Sequence, residues 1–380
     1  MASLRLGILA MYLSEKRLEE RSFFRKLCIH GKRLGIEPFV FTPDDVDASR
    51  QLVHAQYYDP GTGMWRRKWI SLPQIVYDRC RYHGVNNYRK IQAFRSRYKL
   101  HYISKPLANK WTMHQILLES EKIAPHLPQT VQYRDDKALS RMLKEHRLVY
   151  LKPRGGTGGR GIVRIERIGT NTFLLQGRDQ QRRIMMPRQV SVRGIVRTLN
   201  GFPLAQRYLV QQGIPLKLKD GRVHDYRMLV QKNGSGEWEI TGCAGRIGPK
   251  RSVTSNLHGG GIAVPMEKLL EGRFPSAKVE QIKREAYRLG LDVAEHLEKR
   301  FGSFCEAGID LAVDPTGHVW LLEVNPKPSR EVFYRIGQLS TYRKAITRPL
   351  EYALWVHKQG KAKASQAGPF HEFGPADGLS

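Results

Sequence analysis

Two stretches of the chain carry residue types whose spacing suits chemistry on a phosphorylated ligand. The first runs Val149-Tyr150-Leu151-Lys152-Pro153-Arg154-Gly155-Gly156-Thr157-Gly158-Gly159-Arg160-Gly161-Ile162-Val163-Arg164-Ile165, with five glycines in the seven residues from 155 to 161. Glycine lets backbone N–H groups approach phosphate oxygens, and a neighbouring lysine adds a point charge. Gly156, Gly158 and Gly161 satisfy GxGxxG, but a dinucleotide fold needs that pattern to open a helix. Here residues 162–167 alternate as a strand does, and no Gly-Lys-Ser/Thr follows. The pattern predicts a strand–loop–strand flap with Lys152 at its foot, folding over the phosphates of a nucleotide. In an ordinary hairpin so many glycines would only add conformational entropy to be lost on folding.

The second stretch is acidic. Asp310 lies in Gly308-Ile309-Asp310-Leu311-Ala312-Val313, and Glu323 and Asn325 lie in Trp320-Leu321-Leu322-Glu323-Val324-Asn325-Pro326. Residues two apart on a strand share a face, so Glu323 and Asn325 point together while Leu322 and Val324 are expected to enter a core. A turn at Asp314-Pro315-Thr316-Gly317 brings Asp310 opposite them. Three hard oxygen donors on adjacent strands suit Mg2+, which keeps coordination positions for water and phosphate.

The elements that must position these groups can be read from periodicity. Leu4–Ala10 and Glu37–Thr42 read as strands flanking a helix within 17–34, a β-α-β opening that predicts a small parallel α/β domain. Trp65–Ile70 pairs with the stretch before the Tyr57–Gly63 turn, and Ile75–Arg79 is a further strand. Asn109 is a good N-cap for a helix. Ile282, Ala286, Leu289, Val293, Ala294 and Leu297 hold helical spacing within 279–300, and a last helix is expected over 340–357. Residues 358–380 read as a mobile basic tail.

Composition sets the class. The chain has 380 residues, 41% hydrophobic and 26% charged, and its 64 Lys+Arg against 35 Asp+Glu give a net charge of +29. That is a globular balance with a field that attracts anions of any kind. Cys28, Cys80, Cys243 and Cys305 are scattered, with no CxxC pair, which argues against zinc or a disulfide framework and fits a reducing, cytoplasmic compartment. No stretch approaches the length needed to span a bilayer. Residues 79–105 are basic, lack any acid and interleave Tyr82, Tyr88, Phe94, Tyr98 and Tyr102. Such a run can stack on bases, but an amphipathic helix with a solvated basic face is the better reading, so nucleic acid is not expected as a partner.

Taken with their order, these motifs resemble the ATP-grasp superfamily, and within it the YheC/YheD-like proteins associated with bacterial endospore coats. The resemblance runs from about Lys110 to Arg330 through Asn109-Lys110-Trp111, Leu127-Pro128-Gln129-Thr130, Lys152-Pro153 with the glycine loop, His224-Asp225-Tyr226-Arg227, Asn256-Leu257-His258-Gly259-Gly260 and Glu323-Val324-Asn325-Pro326. The separation of Asp310 and Glu323 is also similar to that in D-alanine–D-alanine ligases. The resemblance implies two α+β lobes clasping ATP (106–205, with the flap, and 206–357, with the Mg2+ site), after an α/β N-terminal domain at 1–105. It implies that Lys110 and Lys152 contact the phosphates and that Gly155, Gly156, Thr157, Gly158, Gly159 and Gly161 close over them. Gln206 to Val210, including Tyr208 and Leu209, would form an interlobe linker offering backbone groups to adenine; where related enzymes often place a glutamate for the ribose, this chain has Gln206, Gln211 and Gln212. Arg227 and Arg246 would steady the γ-phosphate and a developing oxyanion, with Asp310, Glu323 and Asn325 holding Mg2+. His258 is a weaker candidate for substrate contact.

The activity implied is ATP-dependent joining of a carboxylate to an amine or other nucleophile through an acyl phosphate, giving ADP and phosphate. Arg154, Arg160 and Arg164 hint at an anionic acceptor such as an acidic peptide or polymer. The alternative is a non-catalytic spore-coat component that keeps a nucleotide fold for binding or assembly.

Overall fold

The computed structural model describes residues 4–13, 17–81, 85–104, 106–155, 160–181, 183–205, 207–250, 252–255, 257 and 260–366. The chain divides into two compact units. One takes in the chain up to Ile103, the Lys232–Glu237 turn and the chain from Ile346 onward; the other takes in Ser104–Gln231 and Trp238–Ala345.

In the first unit, β1 (Leu4–Leu9), α1 (Arg21–Arg33) and β2 (Ile36–Phe41) form the expected parallel β-α-β start. β3 (Val46–Asp47), β4 (Leu52–Asp59), β5 (Met64–Ser71), β6 (Ile75–Asp78), α2 (Val85–Arg97) and β7 (His101–Tyr102) complete it. β6 lies parallel to β1 and β7 parallel to β6, whereas β4 and β5 form an antiparallel hairpin. Leu9, Phe39, Phe41, Val53, Ala55, Val76, Ile91 and Phe94 meet in one core. Part of the basic 79–103 stretch is spent on this core, whereas Tyr88, Arg89, Lys90, Arg97 and Lys99 are exposed. Phe94 and Tyr98 are buried, Arg79 donates to both carboxylate oxygens of Glu20 at 3.0 and 2.9 Å, and Arg95 pairs with buried Asp78. Tyr82 and Lys105 lie outside the described residues.

The second unit opens with α3 (Lys110–Leu118), whose first turn is capped as expected: the Asn109 carboxamide oxygen accepts from the N–H of Trp111 and Thr112 at 3.0 and 3.2 Å. β8 (Thr130–Gln132), α4 (Asp136–Glu145), β9 (Leu148–Pro153), β10 (Val163–Arg167), β11 (Phe173–Arg178), β12 (Ile184–Val190), α5 (Val192–Thr198) and β13 (Tyr208–Gln212) follow. Their six strands order as β12-β11-β10-β9-β13-β8. β13, which lies past residue 205 in sequence, belongs to this sheet.

A five-stranded sheet, ordered β16-β15-β14-β17-β18, is built from β14 (His224–Lys232), β15 (Trp238–Ile247), β16 (Ile262–Pro265), β17 (Glu306–Val313) and β18 (Val319–Asn325). α6 (Met266–Glu271) and α7 (Ser276–Phe301) lie between β16 and β17 in sequence. The α7 stripe Ile282, Ala286, Leu289, Val293, Ala294 and Leu297 is buried against Tyr226, Met228, Val230, Ile309, Leu311 and Leu321. Gly290 permits that approach, since a Cβ there would stand 2.4 Å from the Met228 sulfur. After α8 (Glu331–Arg335), α9 (Leu339–Gln366) runs well past the 357 boundary, so the segment expected to be a tail begins as helix. The four cysteines are buried and outside any disulfide among the described residues, and no described helix is long and apolar enough to cross a membrane.

Candidate nucleotide and metal site

Strand alternation divides the charged and apolar residues of the five-stranded sheet. On β14, Tyr226, Met228 and Val230 enter the core under α7, so Asp225 and Arg227 point to the other face. Register then makes a cross-strand row: Arg227 pairs with Asp310 on β17, and Asp310 pairs with Glu323 on β18. Asn325 sits opposite Gly308 in the next position, and its Nδ2 is 3.5 Å from Asp310 Oδ2.

A bulge between Asp310 and Leu311 pairs Leu311 with Leu321 and leaves Leu322 as the extra residue. This corrects the alternation read from sequence. Leu321 and Val324 are the buried core residues, while Leu322 is only half-buried. The bulge keeps Glu323 and Asn325 on the Asp310 face and shifts every residue before them by one.

Arg227 and Arg246 both turn to Asp310. The Arg227 guanidinium engages it through Nε and Nη2, the latter at 3.0 Å, and Arg246 Nη2 lies 3.1 Å from Oδ2. Arg246 also makes a two-pronged pair with Asp225 at 2.7 and 2.6 Å. Burial alone would raise the Asp310 carboxyl, but the two guanidiniums outweigh it and hold the group below the usual carboxylate range. Burial would lower Arg246, and Asp225 and then Asp310 more than reverse that. Asp225, named in sequence only as part of a motif, is thus the group that orients Arg246. Its place two residues before Arg227 on one strand face was the signal for it.

Lys152 stands on β9, which pairs with β10 as the predicted flap hairpin, Val163 opposite Leu151. Its Nζ donates to Gln211 Oε1, and Gln211 Nε2 donates to Thr130 Oγ1 at 2.9 Å. Burial first, then the positive charge of Lys110, push Lys152 down to about 8, against the upward pull of Glu323, Asp310 and Asp225. Lys110, at the start of α3, lies 3.5 Å from Glu323. Two lysines, two arginines and three carboxylates far apart in sequence therefore belong to one electrostatic neighbourhood.

Gly161 closes the flap with φ +67°, and a Cβ there would meet Tyr208 Oη at 2.5 Å and Gln180 Nε2 at 2.8 Å. Gly155 is exposed at the other end of the loop. Gly156, Thr157, Gly158, Gly159, Gln206, Asn256, His258 and Gly259 lie outside the described residues. Tyr208 and Leu209 do not form a free linker. They lie in β13 between β9 and β8, with buried side chains, and the Tyr208 carbonyl accepts from Tyr133 N–H at 2.9 Å. A strand with a ladder on both edges has no spare backbone groups there for adenine. Arg164 is likewise removed as an acceptor for anions, being buried and paired with Glu166 at 2.7 Å.

The description "YheC/D like ATP-grasp" matches residues 99–356, about two-thirds of the chain. This protein belongs to the YheC/D-like ATP-grasp family. It is 26% identical over 334 residues to the endospore coat-associated protein YheC of Bacillus subtilis (strain 168), covering 86% of this chain and 90% of that one. To YheD of the same organism it is 26% identical over 364 residues, covering 90% and 78%. In fold it is similar to a Chryseobacterium gregarium RiPP-associated ATP-grasp ligase solved with ADP and a leader and core peptide: TM-score 0.52, 13% identity, 93% of this chain and 97% of that one. The mixed α/β architecture described above is thus that of the YheC/D-like ATP-grasp fold.

The donor set of this YheC/D-like chain fits both groups that such a fold implies. Asp310, Glu323 and Asn325 offer only hard oxygen ligands on adjacent strands, as Mg2+ requires. Half-buried Lys152 hydrogen-bonds a neutral amide rather than a carboxylate, which suits a phosphate oxygen.

Proposed function

We propose that this protein is a Mg2+-dependent ATP-binding ligase that activates a carboxylate as an acyl phosphate and passes it to an amine or thiol. The observation that carries the reading is the convergence of Lys110, Lys152, Arg227 and Arg246 on the Asp225, Asp310 and Glu323 carboxylates. Among the described residues Lys152 hydrogen-bonds only a neutral amide.

In this reading Lys110 and Lys152 bind phosphate oxygens, and Gly155, Gly156, Thr157, Gly158, Gly159 and Gly161 cover them and exclude water. Asp310, Glu323 and Asn325 hold Mg2+, which neutralises phosphate charge and orients the γ-phosphoryl group when bound. Arg227 and Arg246, held in place by Asp310 and Asp225, aim fixed positive charge at the oxygens where negative charge develops. Removing one such donor typically costs about 10²–10³ in rate. Exposed Arg160 at the mouth of the flap favours an anionic acceptor, such as an acidic peptide or coat polymer. The named relatives suggest attachment to the endospore coat.

Release of ADP and phosphate from Mg·ATP, measured against a panel of acids and amines, tests the reading. Carboxylate-dependent ADP release that is lost in Lys152→Ala is the expected result. ATP bound equally well by wild type and Lys152→Ala would remove the assignment. ATP binding without turnover for any acid would favour the non-catalytic coat component.

A further inference from the structure

The first unit carries a second recognition surface that the nucleotide reading does not use. β5 is the edge strand of its sheet: it pairs with β4 along its whole length, and among the described residues no strand pairs with its other side. Its sequence is Met-Trp-Arg-Arg-Lys-Trp-Ile-Ser, and Trp69 is 47% exposed. Alternation puts Trp65, Arg67 and Trp69 on one face, opposite Tyr58, Gln56 and His54 of β4. The His54 ring stacks on Trp69 at 4.8 Å.

Each tryptophan carries an arginine. Arg21, at the start of α1, lies 5.7 Å over the Trp65 ring, and Arg50 lies 5.8 Å over Trp69. Both arginines are exposed. Among the described residues neither guanidinium has a hydrogen bond or a carboxylate within 4.0 Å. The other cations of the strand are already matched: Arg67 with Asp45 at 3.0 Å, Lys68 with Glu37 at 2.9 Å and Arg66 with Asp59 at 4.0 Å. Beside the Arg21–Trp65 pair, Leu18, Arg21, His54, Gln56, Trp65 and Arg67 line an open cavity of about 410 Å³.

A guanidinium held over an indole ring by cation–π attraction keeps N–H donors available for a carboxylate. Basic side chains on an edge strand discourage a second copy of the same strand by like-charge contact, yet they complement an acidic one. A strand laid on this edge gains main-chain hydrogen bonds and presents alternate side chains to the same face. Trp65 and Trp69 are four residues apart, a span of roughly 13 Å in extended chain, and i and i+4 on an added strand cover the same span. We propose that β5 docks an extended acidic polypeptide segment carrying Asp or Glu at positions i and i+4, received by Arg21 and Arg50. An open strand edge favours a polypeptide, whose alternating N–H and C=O groups match it, over a nucleic acid, whose backbone lacks that alternation.

The test uses the full-length protein and fluorescein-labelled nonapeptides, uncharged except for Glu at i and i+4, with Gln counterparts. Anisotropy at physiological ionic strength is expected to show the Glu peptide binding about tenfold tighter, the order of two charge-assisted contacts. Arg21→Gln with Arg50→Gln should erase that difference. Because both side chains are exposed and, among the described residues, form no ion pair, the thermal midpoint of the double variant should stay close to that of wild type. Trp69→Ala should weaken the Glu peptide while leaving ATP binding unchanged. Equal affinity for Glu and Gln peptides, or a preference that survives the double variant, overturns the proposal. So does an oligothymidylate of equal charge that binds more tightly through the same arginines.

Discussion

The two charged clusters of the second unit solve the same electrostatic problem in opposite ways. On the five-stranded sheet, buried Arg246 faces Asp225 and Asp310, and Arg227 faces Asp310. Those charges compensate one another, so they hold β14, β15 and β17 in register without any ligand. On the six-stranded sheet Lys152 meets the neutral amide of Gln211, and its ammonium is pushed down to about 8. That cation is left with charge to give. The difference separates charges that are paired with one another from one that meets a neutral amide, and it implies different penalties on removal.

The largest effect is expected from Asp310→Ala, which strands the Arg227 guanidinium and leaves Arg246 with Asp225 alone. Breaking a buried pair by removing one partner costs about 3–5 kcal/mol, so chemical denaturation should show a loss of that order together with loss of Mg2+-dependent ATP binding. Arg246→Lys keeps a charge but cannot make the two-pronged contact with Asp225. Turnover is expected to fall by about 10²-fold, with a smaller loss of stability than Asp310→Ala. An unchanged rate would show that Arg246 is only a strut.

Lys152→Met should do the reverse. Stability is expected to hold or rise, because a desolvated cation that, among the described residues, hydrogen-bonds a neutral amide is removed, while ATP affinity drops by about 10–100-fold, the worth of a charge-assisted hydrogen bond. A stability loss matching that of Asp310→Ala would erase the contrast between the two clusters.

The pH dependence sharpens the same point. With Lys152 lowered from 10.5 to about 8, the unfolded chain binds the proton more tightly than the folded one. The penalty is fully present below about 8 and is relieved as pH rises from about 8 towards 10.5. Wild type should therefore gain stability relative to Lys152→Met across that window while its ATP affinity declines, as the binding form of Lys152 loses its proton. The smallest effect belongs to Gly161→Ala. Its positive φ and the 2.5 Å approach to Tyr208 Oη should cost about 1–2 kcal/mol, read as a small drop in thermal midpoint with the metal site intact.

Much of this was legible in the residues themselves. Periodicity of 3.6 found α7, alternation found β17 and β18, and the glycine run between Lys152 and Val163 announced a hairpin, because these patterns reflect local geometry that every chain obeys. The spacing of Asp310, Glu323 and Asn325 already implied a shared face. Three things were not local. The bulge that puts Leu321 rather than Leu322 in the core depends on how β17 seats against β18. The placing of Tyr208 and Leu209 inside a sheet depends on β8, some 75 residues earlier, coming to pair with β13. The neutral partner of Lys152 depends on β13 lying beside β9. Sequence determined which side chains could carry charge, bind a metal or bend the backbone. Tertiary structure decided which of those charges would find a partner, because pairing is a matter of distance across strands, and distance across strands is not written in separation along the chain.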